Sequence, residues 1–152
     1  MLKKLNKGEE RVLIEEIDRQ YVSRLELEGI FLEKEEKREA RKIFFYTDER
    51  IPDVPAEWTG QHFCTIKDNV VIPSIEGAQA IGKTAKRLIE LSYKEAEYIM
   101  SGRDVELKEE KERGYYILKT GDDVLGIGLV ENGKIINQTP KSRRTMQQYR
   151  TI

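Results

Sequence analysis

Apolar and polar positions are most sharply patterned over residues 114–144, GYYILKTGDDVLGIGLVENGKIINQTPKSRR. The pattern predicts three short strands, at 115–119, 124–130 and 134–138, joined by tight turns. Gly126 and Gly128 fall on one face of the middle strand, and Leu125, Ile127 and Leu129 on the other. Asn132-Gly133 is a strong hairpin signal, because a type I′ turn needs two residues that tolerate positive φ. Pro140 stops the last strand, and Lys141, Arg143 and Arg144 follow at once.

The periodicity changes upstream. Val12, Leu13, Ile17 and Tyr21 fall at helical spacing, which predicts a helix docked on a sheet by its apolar face. Residues 25–28 alternate as a half-buried strand does, and Ile30-Phe31-Leu32 extends the apolar material. The mixed charges of 33–41 are expected in a solvated helix or long turn. Ile43-Phe44-Phe45-Tyr46 reads as a core strand, and 62–66 with 70–72 as a hairpin around Lys67-Asp68-Asn69. Between them, TDERIPDVPAEWTG (47–60) is loop-like and carries Trp58, which is expected to plug the fold rather than act as a lid or interface anchor. Ser74 is a plausible N-cap for a short helix. Residues 88–91 predict a short strand, and Ser92-Tyr93-Lys94-Glu95 a capping box opening a helix that ends at Ser101-Gly102. Val105-Glu106-Leu107 starts the next strand. The fold expected is α+β: an N-terminal α/β extension over 1–68, packed on a C-terminal, mostly β domain over 69–152.

Charge adds what pattern does not. The chain of 152 residues has a net charge of −1, so bulk charge implies no polyanion partner. Its distribution is uneven: 13 basic against 16 acidic residues over 1–69, then 14 against 12 over 70–152. Residues 133–152 hold five basic residues and no acidic one, an asymmetry that attracts phosphate backbones. The single cysteine excludes an internal disulfide and fits a reducing, cytoplasmic setting. No apolar run is long enough for a membrane span, and the N-terminal MLKKL lacks the apolar segment of a signal peptide.

Few residues carry catalytic chemistry. His62 and Cys64 stand alone as soft ligands, and zinc needs three or four, so no metal is expected. Nothing is placed to orient His62 as a base for Cys64, and the acid pairs Glu15-Glu16 and Asp122-Asp123 have no nucleophile or base beside them. The segment GAQAIGKT, Gly77 to Thr84, satisfies the phosphate-loop pattern G-x-x-x-x-G-K-[ST]. Its context does not: such a loop joins a parallel strand to a helix, whereas the chain downstream is mostly hairpins. Ala78-Gln79-Ala80-Ile81 also favours helix over open turns. Two accounts of Gly77 and Gly82 remain. Followed by Lys83, Lys86 and Arg87, they would let a sugar-phosphate backbone approach, or they simply let a helix pack on a sheet.

The stretches VVIPSIEGAQAIGKTAKR, LSYKEAEYIMSGRDVEL and the meander GYYILKTGDDVLGIGLVENGKIINQTPKSRR resemble a PUA domain, above all the PUA modules of RNA cytosine-5 methyltransferases and archaeal relatives. The likeness covers about half the chain, with VLGIGLV, ENGKI and PKSRR its most specific parts. Residues 1–68 look like the extension that precedes a PUA domain in some ribosome-biogenesis and tRNA-modification proteins. The resemblance implies a mixed β pseudo-barrel. It also implies RNA lying across the segment after the first short helix and along the last strand. Carried onto this chain, that marks Gly77, Ala78, Gly82, Lys83, Thr84, Lys86 and Arg87 on one side, and Lys141, Arg143 and Arg144 on the other. A methyltransferase cofactor domain and a Pro-Cys motif are missing from the sequence, so methyl transfer by this chain is not expected.

The expected function is a non-catalytic protein without a cofactor that binds structured RNA, tRNA or rRNA, in RNA modification or ribosome biogenesis. The two cationic segments would form one cradle. A second reading is a protein–protein adapter for a modification enzyme or ribosome-assembly factor, motivated by the acidic N-terminal half and the Trp58 loop. A third, a nucleotide-binding P-loop enzyme, rests on the Gly77–Thr84 pattern alone.

Overall fold

The computed structural model describes residues 2–36, 39–46 and 61–145. Trp58 and its loop lie outside them. Strand β1 (Leu2–Lys4) leads into helix α1 (Lys7–Tyr21). Asn6 and Glu9 close a capping box: the Asn6 side chain accepts from the Glu9 amide at 2.8 Å, and the Glu9 carboxylate accepts from the Asn6 amide at 3.1 Å. Leu13, Ile17 and Tyr21 are the buried stripe of α1, while Val12 is 59% exposed.

Strands β2 (Ile30–Glu35), β3 (Arg41–Tyr46), β4 (Gln61–Lys67) and β5 (Val70–Pro73) follow. With β1 they form an antiparallel sheet in the order β1-β2-β3-β4-β5. Two expectations change here. Residues 25–28 bury Leu25 but form no strand, because neighbouring amides are taken by side chains: Leu25 donates to Asp18 Oδ1 and Arg24 to Thr84 Oγ1. The start of the charged run is strand, not helix or turn. The Ile30-Phe31 ladder with β3 carries on to Glu35, and a 2.8 Å Arg41–Glu33 ion pair spans it.

The second sheet contains β6 (Leu88–Glu90), β7 (Val105–Glu106), β8 (Gly114–Thr120), β9 (Asp123–Glu131) and β10 (Lys134–Asn137). Its order is β6-β8-β9-β10-β7, with β6 parallel to β8 and the rest antiparallel. It curls into the half-barrel expected of a PUA fold. Helix α2 (Ile75–Ile81) precedes β6, and α3 (Tyr93–Met100), opened by a Ser92–Glu95 capping box, follows it. The turn residues behave as their chemistry requires: Asp68, Asn69, Asn132 and Gly133 all have positive φ.

The expected boundary at 68/69 falls inside the β4–β5 hairpin, so β5 completes the N-terminal sheet. The halves also share one core, in which Ile17, Tyr21, Phe31 and Phe63 meet Ala78, Ile81, Ile117 and Ile127. A smaller cluster under α3 holds Ile99, Tyr116, Leu118, Val130 and Ile135.

Candidate nucleic-acid interface

Helix α2 organises the residues singled out in the sequence. Ser74 caps it, accepting from the Gly77 amide at 3.0 Å and donating to the His62 carbonyl at 2.6 Å. That pins the first turn of α2 to β4. A Cβ on Gly77 would run into the Phe63 carbonyl oxygen, and one on Gly82 would come within 2.7 Å of a Val124 methyl. Gly77, Ala78 and Gly82 are all buried. These three therefore correct the expectation that they open the backbone to RNA: their small size lets α2 sit on β4 and β9. The phosphate-loop pattern is accounted for the same way. Gly77 to Ile81 is helix, and the Ala78 and Gly82 amides are spent on the Ser74 and Ala78 carbonyls.

The next segment is tied to the N-terminal half through its backbone. Tyr21 carbonyl accepts from the Lys86 and Arg87 amides at 3.2 and 3.0 Å, and Thr84 Oγ1 accepts from the Arg24 amide at 2.9 Å. Its side chains remain available. Lys83, Thr84 and Lys86 are exposed, and Lys83 and Lys86 have no ion-pair partner among the described residues. Lys83 shares a shallow cleft with Gln79, Lys119, Asp122 and Asp123. Arg87 turns the other way. Its Nε donates to the Tyr115 carbonyl at 2.9 Å, and its guanidinium lies 4.0 Å over the Tyr116 ring. It lines a different cleft, with Lys67 and Tyr115.

The second cationic segment lies at the opposite end of α2. Pro140 opens a single 3-10 turn, Lys141–Arg143. Arg143 donates to Glu76 in the first turn of α2 at 2.6 Å and lines a third cleft with His62, Ser74 and Thr139. Burial opposes the charge on Glu76, but the Arg143 hydrogen bond and a backbone amide outweigh it and hold the carboxyl below the usual range. Burial also lowers the His62 pKa, so this imidazole adds no positive charge near neutral pH. Arg144 points away from the cleft; its Nε donates to the Thr139 carbonyl at 3.0 Å and it covers Gly102. Lys141 is exposed and unpaired among the described residues.

The two segments thus flank α2 rather than meeting in one cradle, with Lys83, Arg87 and Arg143 in three separate clefts. The seven residues of α2 span about 10 Å. Lys83 and Lys86 stand past one end, Lys141 and Arg143 past the other, and exposed Gln79 lies between. Reading the sequence missed Lys67 and Arg113, which line the Arg87 cleft. They sit far apart along the chain, and only the sheets bring them together.

Cys64 is fully buried, and burial pushes its thiol up to about 12. No group of three or more His, Cys, Asp or Glu among the described residues could hold a metal ion. No helix among them is long and apolar enough to cross a membrane.

Comparison with known proteins matches residues 86–145 to the family described as the methyltransferase RsmF PUA domain. The match begins at Lys86 and takes in β6 to β10 and the Lys141–Arg143 turn. This part of the chain is similar to the PUA modules of RNA cytosine-5 methyltransferases. No curated protein matches the chain.

Proposed function

We propose that this protein is a non-catalytic RNA-binding protein, holding structured tRNA or rRNA on the outer side of α2 in the service of RNA modification or ribosome assembly in the cytoplasm. One observation carries the reading: a short helix, α2, just ahead of the segment similar to a PUA domain, with exposed cations at both ends, Lys83 and Lys86 at one and Arg143 at the other. Lys83 and Lys86 meet phosphates at one end, Lys141 and Arg143 at the other. Arg143 exchanges its Glu76 partner for a phosphate as RNA arrives. An A-form strand is recognised through its shape, phosphates and 2′-hydroxyls, so discrimination between bases is weak. The buried, high-pKa Cys64 supports the non-catalytic side of the proposal, since methyl transfer through cysteine needs a reachable thiolate.

Four phosphate contacts set a definite salt dependence. Between about 50 and 200 mM salt, affinity for a folded tRNA falls by roughly 50- to 150-fold. Fluorescence anisotropy at several ionic strengths measures this directly. Absent or salt-independent binding would refute the proposal.

A further inference from the structure

A cleft lies where the N-terminal half meets the PUA-like part, beside the proposed RNA surface rather than on it. It has a volume of about 750 Å³. That lies within the roughly 300–1,000 Å³ typical of small-ligand sites. One wall is apolar. Tyr115 on β8 and Leu129 on β9 are direct cross-strand partners, so their side chains share a face. Val70 and Ile72 from β5 complete that wall.

Its rim is cationic and drawn from separate elements. Arg19 comes from α1, Lys67 from the end of β4, Arg113 from just before β8, and Arg87 from just before β6. Arg19 is paired with Glu16 at 3.0 Å and Arg113 with Glu131 at 3.4 Å. Lys67 and Arg87 have no acidic partner among the described residues, although Asp68 also lines the cleft. Arg87 is held in place by the Tyr115 carbonyl and the Tyr116 ring. Gly114 makes room for it, because a Cβ there would lie 2.6 Å from the guanidinium.

An apolar wall with an aromatic ring, faced by the unneutralised cations Lys67 and Arg87, suits a base joined to a phosphate. The cleft is also continuous in sequence with the RNA surface, since exposed Lys86 precedes Arg87 directly. We infer that this junction cleft receives one unpaired nucleotide of the bound RNA, its base against Tyr115 and Leu129 and its phosphate at Lys67 and Arg87. This rests on the RNA-binding reading and adds to it a preference for RNA with a single-stranded portion next to a helix.

The test compares a blunt RNA duplex with the same duplex carrying three unpaired nucleotides at each end. Wild-type protein binds the extended RNA about tenfold tighter, the scale of a stacked base. Lys67→Ser, at the exposed end of β4, and Tyr115→Leu, which keeps the wall apolar, each cut that preference to threefold or less. Blunt-duplex affinity stays within twofold in both. Equal wild-type binding of the two RNAs, or a preference unchanged in both variants, would overturn the cleft assignment alone. Failure to bind either RNA would instead overturn the proposed function on which it rests.

Discussion

Replacing Lys83, Lys86, Lys141 and Arg143 together by Gln weakens binding of folded RNA by roughly 100-fold or more at about 50 mM salt, and flattens the salt dependence by three to four units of slope. The four side chains are exposed, so losing them leaves the fold intact. The one ion pair removed, Arg143–Glu76, is at the surface, where such pairs contribute little to stability. Arg87 is kept in this variant for a physical reason: it props the Tyr115 carbonyl and the Tyr116 ring. Removing it would mix loss of structure with loss of charge. A quadruple variant that binds as tightly as wild type, with the same salt slope, places the phosphates elsewhere.

The second large effect is on stability. Gly77→Val destabilises the protein by about 3 kcal/mol or more, at the upper end of overpacking penalties. Gly77 has ordinary helical backbone, so φ is not the issue; space is. Its Cα faces the Phe63 carbonyl on β4, and the Ser74 cap fixes α2 at that distance with bonds to both His62 and Phe63. A valine must lift α2 off the sheet, breaking the cap and exposing Ala78 and Ile81, both fully buried. Chemical denaturation reads the loss as a lower midpoint. An unchanged midpoint would mean that α2 does not dock on β4 as described. The result also separates the two meanings of the glycine, since a residue needed only for RNA approach would leave stability untouched.

What the sequence disclosed follows from which forces are local. Asp68-Asn69 and Asn132-Gly133 announced their hairpins because positive φ is a property of the residues themselves. Ser92 and Glu95 announced a helix start for the same reason, their bonds spanning three residues. Residues 25–28 misled because alternation reports burial, not pairing. Leu25 is buried, yet its amide bonds to Asp18 and no ladder forms.

For Gly77 and Gly82 the residues left two accounts open, and the packing one is what the structure shows. Their neighbours in sequence are cationic, but their neighbours in space are Phe63 and Val124, and nothing within the segment reveals that contact. The cationic segments themselves were legible from charge alone. Their placement at the two ends of α2 was not, since it depends on how the segment after β10 returns beside Ser74 and Glu76. The junction cleft was hidden for the same reason, as Arg19, Lys67, Arg87 and Arg113 become neighbours only through the shared core.

The central claim is that α2 and the cations at its two ends form the RNA-facing surface. Amide chemical-shift mapping during titration with a folded tRNA tests it most directly. The account places the largest perturbations at Gln79, Lys83, Lys86, Lys141 and Arg143, with smaller ones at Lys67 and Tyr115. Perturbations gathered instead around α3 and β7, leaving both ends of α2 unmoved, would contradict it.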